Sequence, residues 1–457
     1  MTVHDEPAVR ADQLKEDLVA DLMEFIKIRS VYDEKNLKPV QDAANWCQKK
    51  LTEAGVKPDH VEQKCIGDPD KNAPLVYATC ASDDAAADAP TALLYAHYDV
   101  VADGGWQEAW NPRYIDNRTR VQGRGAADDK SGVMMHLGAL RAFGGRPPVP
   151  LKIVLEGEEE SGDTLEGYVR KNKDLFKADV IVVADTGNYK LGEPTLTTSL
   201  RGVVAVDITV STLKAPVHSG VYGGPPPDAF MALVRILAAL LDDPGDVAIP
   251  DLVREHWNGK EPGEAAFRTE AGVLPDVNLI GSDTLGSRLY GRPSVNVVGL
   301  SGPPPYSAPV NQLTATASAR VSLRIAPQEK PEDALAELER FVKRPELNPW
   351  NAVVEVKKAD SGAGFRADTS RPGYAMAKKA MEQAYPGKQV VFTGDGGAIP
   401  LVTALQQINP KATVLLIGCE EPLCRIHSSP ESVNVGELTA MTDAECHLLR
   451  LLNEDRG

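Results

Sequence analysis

The chain carries five histidine and acidic side chains whose types suit metal ions: His97, Asp128, Glu160, Asp185 and His427. Imidazole nitrogens and carboxylate oxygens form a mixed donor set that favours zinc, with cobalt or manganese as alternatives. Each residue by itself has an ordinary explanation, such as a surface histidine or an aspartate that begins a helix. Their position relative to neighbouring elements decides whether they form a site.

Three consecutive glutamates, Glu158, Glu159 and Glu160, follow an apolar run and lie between glycines. Such a concentration of carboxylates costs repulsion unless cations offset it, although a single acidic run is usually a solvated loop. Adjacent glutamates can divide the work, one binding a metal while the other takes a proton from metal-bound water. The run therefore contains a candidate general base as well as a candidate ligand.

Asp99 stands two residues after His97, at the end of the same apolar run. Residues two apart at the end of a strand point to the same side. A histidine that binds a metal usually needs a carboxylate or carbonyl that fixes the orientation of its ring. We therefore expect Asp99 to orient His97.

Four short apolar runs predict strands that are buried on both faces. Each is followed, at once or within one loop, by histidine or acidic residues, namely His97 and Asp99, Glu158 to Glu160, Asp185, and His427. The runs lie at residues 91–96, 151–155, 180–184 and 412–417. Helical patterns alternate with them, which predicts an α/β domain with a mainly parallel sheet flanked by helices. In such sheets ligands bind beyond the carboxyl ends of the strands, so the four ends are expected to converge on one crevice.

The pattern changes between residues 198 and 360, where the order becomes strand, helix, strand, strand, helix, strand. This order predicts an inserted α+β domain of the ferredoxin-like kind, with four antiparallel strands and two helices. The metal-binding domain then comprises residues 1–197 and 361–457. Residues 242–292 interrupt the pattern and fit no regular element.

The charge and hydropathy of the chain argue against two classes of partner. There are 65 acidic and 49 basic side chains, a formal net charge of -16, and no basic run that could track phosphates. No apolar run approaches the length of a membrane span, and residues 1–10 lack the basic and then apolar order of a signal peptide. Six cysteines without a CxxC pair suit reduced thiols. We expect a cytoplasmic protein that binds neither nucleic acid nor membranes.

Six segments together resemble the co-catalytic zinc exopeptidases, a family that includes cytosolic non-specific dipeptidase, carnosinase, carboxypeptidase G, aminoacylase, acetylornithine deacetylase and succinyl-diaminopimelate desuccinylase. They span nearly the whole chain in the family's order, and the dipeptidases are the most similar members. Each fragment alone is weak, but a chance match of all six is very improbable. The segments are 95–101, 123–130, 156–162, 218–220, 394–400 and 418–427.

The resemblance divides the candidate ligands between two metal ions that share one carboxylate. One ion would be held by His97, Asp128 and Asp185, and the other by Asp128, Glu160 and His427. Asp128 would therefore bridge the two ions.

The resemblance also assigns roles to residues beside the ligands. Glu159 would be the general base, and Asp99 would orient His97. The peptide bond between Asp128 and Asp129 would be cis.

The inserted domain resembles a lid through which two subunits form a homodimer, with a regulatory binding domain as the alternative. His218 would enter the partner's active site and stabilise the oxyanion of the transition state. Arg324 matches an arginine that binds the substrate's carboxylate by bidentate hydrogen bonds, although an arginine on the surface of a strand is an equal alternative. Asn311, Gly396 and Gly397 match further positions that contact substrate.

The resemblance implies an enzyme that cleaves the amide bond of dipeptides or short peptides with a free C-terminal carboxylate. Two divalent ions would hold a bridging water, and Glu159 would take its proton. The same metals could remove an acyl group from an amino acid, so an N-acyl amino acid amidohydrolase is the alternative enzyme. A catalytically inactive binding protein of the same fold is the alternative outside enzymes. The side chains of the substrate are left open.

Overall fold

The computed structural model describes residues 13–81, 89–162 and 164–454. Residues 1–10, for which no signal peptide is expected, lie outside the described residues. Residues 81–90 are rich in Ala and Asp and predict an exposed connection, and most of them also lie outside the described residues. The chain divides into two compact units. The first contains the described residues through Thr198, Ala367–Thr393 and those from Leu401 onward, and the second contains Ser199–Arg366 and Gly394–Pro400.

The strands of the described residues are, in chain order, β1 (Val61–Lys64), β2 (Leu75–Cys80), β3 (Ala92–His97), β4 (Arg113–Ile115), β5 (Arg120–Gln122), β6 (Leu151–Glu156), β7 (Val180–Val183), β8 (Thr195–Leu200), β9 (Gly202–Ser211), β10 (Val217–His218), β11 (Ser294–Ser301), β12 (Gln312–Leu313), β13 (Thr316–Ile325), β14 (Val353–Gly362), β15 (Phe365–Arg366), β16 (Val391–Asp395), β17 (Thr413–Leu416) and β18 (Ser432–Asn434). The α-helices of the same residues are α1 (Lys15–Ile26), α2 (Lys38–Glu53), α3 (Lys130–Ala142), α4 (Thr164–Lys171), α5 (Ser219–Tyr222), α6 (Ala229–Ala238), α7 (Glu264–Glu270), α8 (Pro331–Val342), α9 (Pro372–Ala384), α10 (Pro400–Ile408) and α11 (Val435–Glu454).

The first unit is built on a sheet whose central strands are parallel neighbours, in the order β6, β3, β7, β17. These strands match the four predicted apolar runs to within one residue at each end. They are almost entirely buried, as apolar strands covered on both faces must be. The carboxyl ends of parallel neighbours lie along one edge of the sheet, so the expected placement of the strand ends is confirmed.

Antiparallel strands complete this sheet on both sides. β2 pairs with β6 and β1 with β2 at one side, and β8 pairs with β17 at the other. Helix α3 packs against β3, α1 and α11, which explains why nearly all of its residues are buried. The mainly parallel sheet with flanking helices agrees with the predicted fold class.

The second unit contains a four-stranded sheet in the order β11, β13, β9, β14, in which every neighbouring pair is antiparallel. Helix α6 contacts β9 and β13, while α8 contacts β9 and β14. Side chains of β13 alternate between buried and more exposed positions, as expected for a sheet with helices on one face. The order of elements and strands is the ferredoxin-like arrangement that the sequence predicts.

Several short elements have no counterpart in the sequence prediction. The three-stranded sheet β18-β5-β4 is built from strands of three residues with polar side chains, which are too short to show a period of two. Residues 242–292 contain the short helix α7 and a π-helical turn at Ser287–Gly291. Residues 394–400, placed with the metal-binding domain from the sequence, group with the second unit.

Within the part of the chain that the structure describes, no helix combines the length and the apolar character that crossing a bilayer requires.

Candidate metal centre

The candidate ligands of the first unit lie where the parallel strands end. His97 is the last residue of β3, and Asp185 follows β7 closely. Glu160 belongs to the loop after β6, and His427 to the loop between β17 and β18. Asp128 immediately precedes Asp129, whose side chain caps the amino terminus of α3. The topology of the sheet thus brings together residues that are far apart in the chain.

His97, Asp128 and Asp185 form one group of potential ligands. The Nε2 atom of His97 lies 3.0 Å from Oδ1 of Asp128 and 3.5 Å from Oδ1 of Asp185. Each residue offers one donor atom, and the three atoms lie within 4.8 Å of one another. His97 is completely buried, Asp128 is buried and Asp185 is half-buried.

Asp128, Glu160 and His427 form a second group with the same spacing. The Nε2 atom of His427 lies 3.0 Å from Oδ2 of Asp128 and 3.0 Å from Oε2 of Glu160. Asp128 therefore faces His97 with one carboxylate oxygen and His427 with the other. This is the arrangement expected of a carboxylate that bridges two cations.

The pKa values in both ligand groups indicate that a positive charge between the carboxylates is favourable. Burial raises the pKa of Asp185 to about 6, despite its contact with His97. Burial also opposes ionisation of Asp128, but hydrogen bonds to His427 and then His97 outweigh it and keep the pKa of Asp128 below its ordinary value. Hydrogen bonding to Asp128 and Glu160 raises the pKa of His427 to about 10. A positive charge between these carboxylates, here that of the protonated histidines, therefore stabilises their ionised form.

These residues fit a pair of divalent metal ions. Each group supplies three protein donors of mixed nitrogen and oxygen type, the number that catalytic zinc sites use while leaving a position for water or substrate. The nearby carboxylates would otherwise repel one another in a buried setting, which two cations would offset. Both the chemistry and the spacing of the donor atoms therefore fit two divalent metal ions.

Asp99 contacts both a histidine ligand and the acidic loop. Its carboxylate Oδ1 lies 3.4 Å from Nδ1 of His97, and its backbone oxygen lies 3.1 Å from the same nitrogen. The two carboxylate oxygens accept hydrogen bonds from the backbone amides of Glu159 at 3.1 Å and Glu160 at 3.0 Å. Asp99 therefore contacts the ring of His97 with both its backbone oxygen and its carboxylate, and its carboxylate also fixes the segment that carries the candidate base.

Glu159 has the environment of a group that can take up a proton. Burial raises the pKa of Glu159 well above its ordinary value, and the negative charge of Asp185 raises it further. The Glu159 carboxylate accepts no hydrogen bond from the described residues, although its backbone amide donates to Asp99. It is therefore available to a water molecule or a substrate.

Two further carboxylates, those of Asp129 and Glu431, lie beside the ligands and had no role predicted from the sequence. The side chain of Asp129 accepts a hydrogen bond from the backbone amide of His97 at 3.0 Å and another from Gly132 at 3.1 Å, and the Asp128–Asp129 peptide bond is cis. Glu431 accepts from the backbone amide of Asp128 at 3.2 Å. The adjacency of Asp129 to a ligand was a usable signal, whereas nothing in the spacing of Glu431 marks it.

His218 and Asn311 lie together in the second unit. β10 pairs with β12, so that His218 faces Gln312, and the backbone amide of Ser219 donates to the Asn311 carbonyl at 3.1 Å. His218 is exposed, and its Nδ1 accepts a hydrogen bond from the Gly220 amide at 3.0 Å. The Nε2 side of this ring has no protein partner among the described residues.

Arg201 contacts the segment that carries Gly396 and Gly397, and the charge of Arg324 acts on Arg201. The Nε atom of Arg201 donates to the Gly396 carbonyl at 3.3 Å, and the amide of Gly397 donates to Asp395 at 2.6 Å. Burial, followed by the positive charge of Arg324, lowers the pKa of Arg201 to about 10. Arg324 makes no ion pair with the described residues, and Asp395 offsets part of the positive charge of the two arginines.

Comparison with known proteins places the chain among peptidases. A model of peptidase family M20/M25/M40 matches residues 93–451. The cysteinylglycine-S-conjugate dipeptidase of Corynebacterium striatum is 37% identical over 420 residues, covering 90% of this chain and 89% of that protein. The Cys-Gly metallodipeptidase dug1 of Schizosaccharomyces pombe is 28% identical over 456 residues, covering 93% and 92%. The solved structure of the di-peptidase Dug1p from Saccharomyces cerevisiae superposes with a TM-score of 0.85 at 22% identity, covering 99% and 98%, and shows a shared fold.

Proposed function

Since the chain belongs to peptidase family M20/M25/M40, we propose that it is a metallodipeptidase that cleaves dipeptides with a free C-terminal carboxylate. The observation that carries the proposal is the position of Asp128, which faces His97 with one oxygen and His427 with the other. The curated relatives described above are themselves named as dipeptidases. The family predicted from the six sequence segments is confirmed.

The two ligand groups would hold two divalent ions, zinc in the first instance and manganese or cobalt as alternatives. When bound, such ions supply Lewis acidity, which lowers the pKa of water and polarises a carbonyl oxygen. Glu159 takes the proton from the attacking water and later gives it to the leaving amine. A half-buried carboxyl with a raised pKa suits both halves of that transfer.

The positive region around Arg324 and Arg201 would bind the carboxylate of the dipeptide. Arg201 is fixed by neutral acceptors, namely the Gly396 carbonyl and the Ser294 hydroxyl at 3.0 Å. Arg324 retains its donors for a ligand, and a guanidinium can bind a carboxylate through two parallel hydrogen bonds.

We expect the Arg324→Met variant to raise KM for dipeptides by about 10- to 100-fold, the loss typical of a charge-assisted hydrogen bond. Steady-state kinetics on a dipeptide and on its C-terminal amide would measure this, since the amide already lacks the charge. The control is Arg320→Met on the same strand, where Arg320 pairs with Asp207 at 2.8 Å on the exposed surface. Equal effects in both variants would contradict a binding role for Arg324.

A substrate panel distinguishes the proposed dipeptidase from its rivals. We expect hydrolysis of Cys-Gly, an S-substituted Cys-Gly and other dipeptides, with N-acetyl amino acids and longer peptides cleaved far more slowly. The amines released would be quantified for each substrate under identical metal loading. Faster cleavage of N-acetyl amino acids would establish the amidohydrolase alternative instead, and no cleavage by metal-loaded protein would favour the inactive binding protein.

We also propose a homodimer formed through the second unit. The surface next to His218 exposes Val221 and Tyr222, at 70% and 56%. The edge strand β11 similarly exposes Val298 and Leu300, at 60% and 59%. Exposed apolar side chains on an edge strand favour association with another chain that covers them. In such a dimer, His218 would stabilise the oxyanion in the active site of the other copy.

Subunit mixing tests the role of His218 across the dimer. His218→Ala and Glu159→Gln homodimers should each be nearly inactive, yet mixed dimers would contain one intact site of the two. Equal co-expression should therefore restore about a quarter of wild-type activity, because half of randomly formed dimers are mixed. Sedimentation of the purified sample would verify the dimer. If the mixture stays as inactive as its components, His218 does not act across subunits.

A cytoplasmic location is part of the proposal. All six cysteines are free thiols, and five of them are buried. Unpaired cysteines of this kind are typical of a reducing compartment. Cell fractionation with an antibody against the protein would test the location.

A further inference from the structure

Glu431 is a completely buried carboxylate in the loop that follows His427. Its Oε2 atom accepts a hydrogen bond from Nη1 of Arg124 at 2.8 Å, and both side chains of this ion pair are buried. A buried ion pair is by itself weak support for a special role, because removal of its charges from water costs energy. The remaining contacts of Glu431 are more informative.

The Glu431 carboxylate also accepts three backbone hydrogen bonds from the segment that carries a ligand. Gly125 donates to Oε2 at 2.9 Å, while Ala127 and Asp128 donate to Oε1 at 2.9 Å and 3.2 Å. The backbone carbonyl of Glu431 accepts a further bond from Gly123 at 3.1 Å. The amides of this segment therefore converge on one residue from the other ligand loop.

We propose that Glu431 is a positioning residue that fixes the Asp128 loop against the His427 loop and so sets the spacing of the two metal positions. Asp128 belongs to both ligand groups, and His427 belongs to one. A change in the relative position of their loops alters the distance between Asp128 Oδ2 and His427 Nε2, now 3.0 Å. The inference rests on the proposed metal centre, but not on the identity of the substrate.

Glu445 provides a matched control for burial and charge. It is completely buried and pairs with His136 at 2.9 Å, and this pair joins α11 to α3. Among the described residues, neither member of the pair hydrogen-bonds to the loops of Asp128 or His427, and the second ring nitrogen of His136 lies 3.0 Å from the backbone oxygen of Tyr95 in β3. A Glu445→Gln change removes a buried charge without removing a hydrogen bond to the loops of Asp128 and His427.

The Glu431→Gln variant replaces one acceptor oxygen by an amide group that donates. That group would face a backbone amide instead of accepting from it, so at least one bond to the Asp128 loop is lost. We expect the affinity for metal to fall by about 10- to 100-fold, as for other residues that orient ligands from outside the coordination sphere. The position of the visible absorption bands of the cobalt-loaded protein should change as well.

The experiment is a cobalt titration followed by absorption spectroscopy, with affinities taken from competition with a chelator. Glu431→Gln should shift the spectrum and weaken binding, whereas Glu445→Gln should lower only the midpoint of thermal unfolding. Arg124→Gln removes the ion pair but keeps the three backbone bonds, so it should change the spectrum less than Glu431→Gln. Glu431→Asp, which keeps the charge but is one methylene shorter, gives the same readouts if the Gln variant does not fold.

Wild-type affinity and spectrum in Glu431→Gln would overturn the proposal, as would an equal effect of Arg124→Gln. An effect of Glu445→Gln as large as that of Glu431→Gln would also overturn it. Failure of the wild-type protein to hydrolyse any dipeptide would refute the proposed function alone, because affinity and spectrum are measured without substrate.

Discussion

The Glu159→Gln variant should keep both metal ions and lose turnover by about 10²- to 10⁴-fold, the usual contribution of a general base. Glutamine has nearly the shape of glutamate but cannot accept and return a proton at neutral pH. The position of the loop should persist, because Asp99 holds it through the backbone amides of Glu159 and Glu160 and not through their side chains. Substitution of the Glu159 side chain should therefore change turnover without changing the position of the loop.

The neighbouring Glu160→Gln variant is the matched control. Glu160 contacts His427 at 3.0 Å, so its substitution should weaken metal binding as well as activity. Metal content by elemental analysis and kcat at saturating substrate would be measured for both variants. Full turnover in Glu159→Gln, or loss of its metals, would show that another group acts as the base.

The Asp128→Ala variant should lose both metal ions, because Asp128 is the residue that the two ligand groups share. Asp185→Ala removes a ligand from one group and should leave the other ion bound. The comparison therefore separates a bridging carboxylate from an ordinary ligand. It also distinguishes two coupled metal positions from two independent ones.

Elemental analysis after gel filtration would give the number of ions per chain in each variant. Thermal unfolding with and without a chelator provides a second measure, since a metal at 100 times its Kd stabilises the folded state by about 2.7 kcal/mol. The chelator should lower the unfolding midpoint of the wild type and leave Asp128→Ala unchanged. One ion retained in Asp128→Ala would refute the bridging role.

The parallel strands and the positions of the candidate ligands could be predicted because both leave a strong mark in the sequence. A strand covered on both faces must be apolar along its length, and β7 is a plain example with Val180–Val183 fully buried. A polar residue such as His97 at the end of such a strand is conspicuous. Topology then places the strand ends side by side.

The residues that fix the ligand loops could not be predicted in the same way. Glu431 and Asp129 act on backbone amides, and every residue except proline has such an amide, so no partner type marks the contact in the sequence. Asp129 also caps α3 through the Gly132 amide, which is the ordinary explanation for an aspartate at that position. Only the three-dimensional path of the loops shows which amides these carboxylates reach.

The small strands β4, β5 and β18 were missed for a different reason. Each has three residues, and such a length contains too little alternation to distinguish a strand from a turn.

Helix α10 follows a glycine-rich segment that favours a loop, and its nine residues are near the lower limit of a recognisable helical pattern.

The position of β17 in the sheet has a consequence for how the protein is made. β17 lies between β7 and β8, yet its residues follow the entire second unit in the chain. During synthesis the apolar edge of β7 stays unpaired while the ribosome adds more than two hundred residues, and an exposed edge of this kind invites aggregation. The four-stranded sheet of the second unit lies in one continuous stretch of the chain and can therefore fold before β17 has been made. The loop that carries His427 and Glu431 follows β17, so the metal centre cannot be completed before that loop has been made.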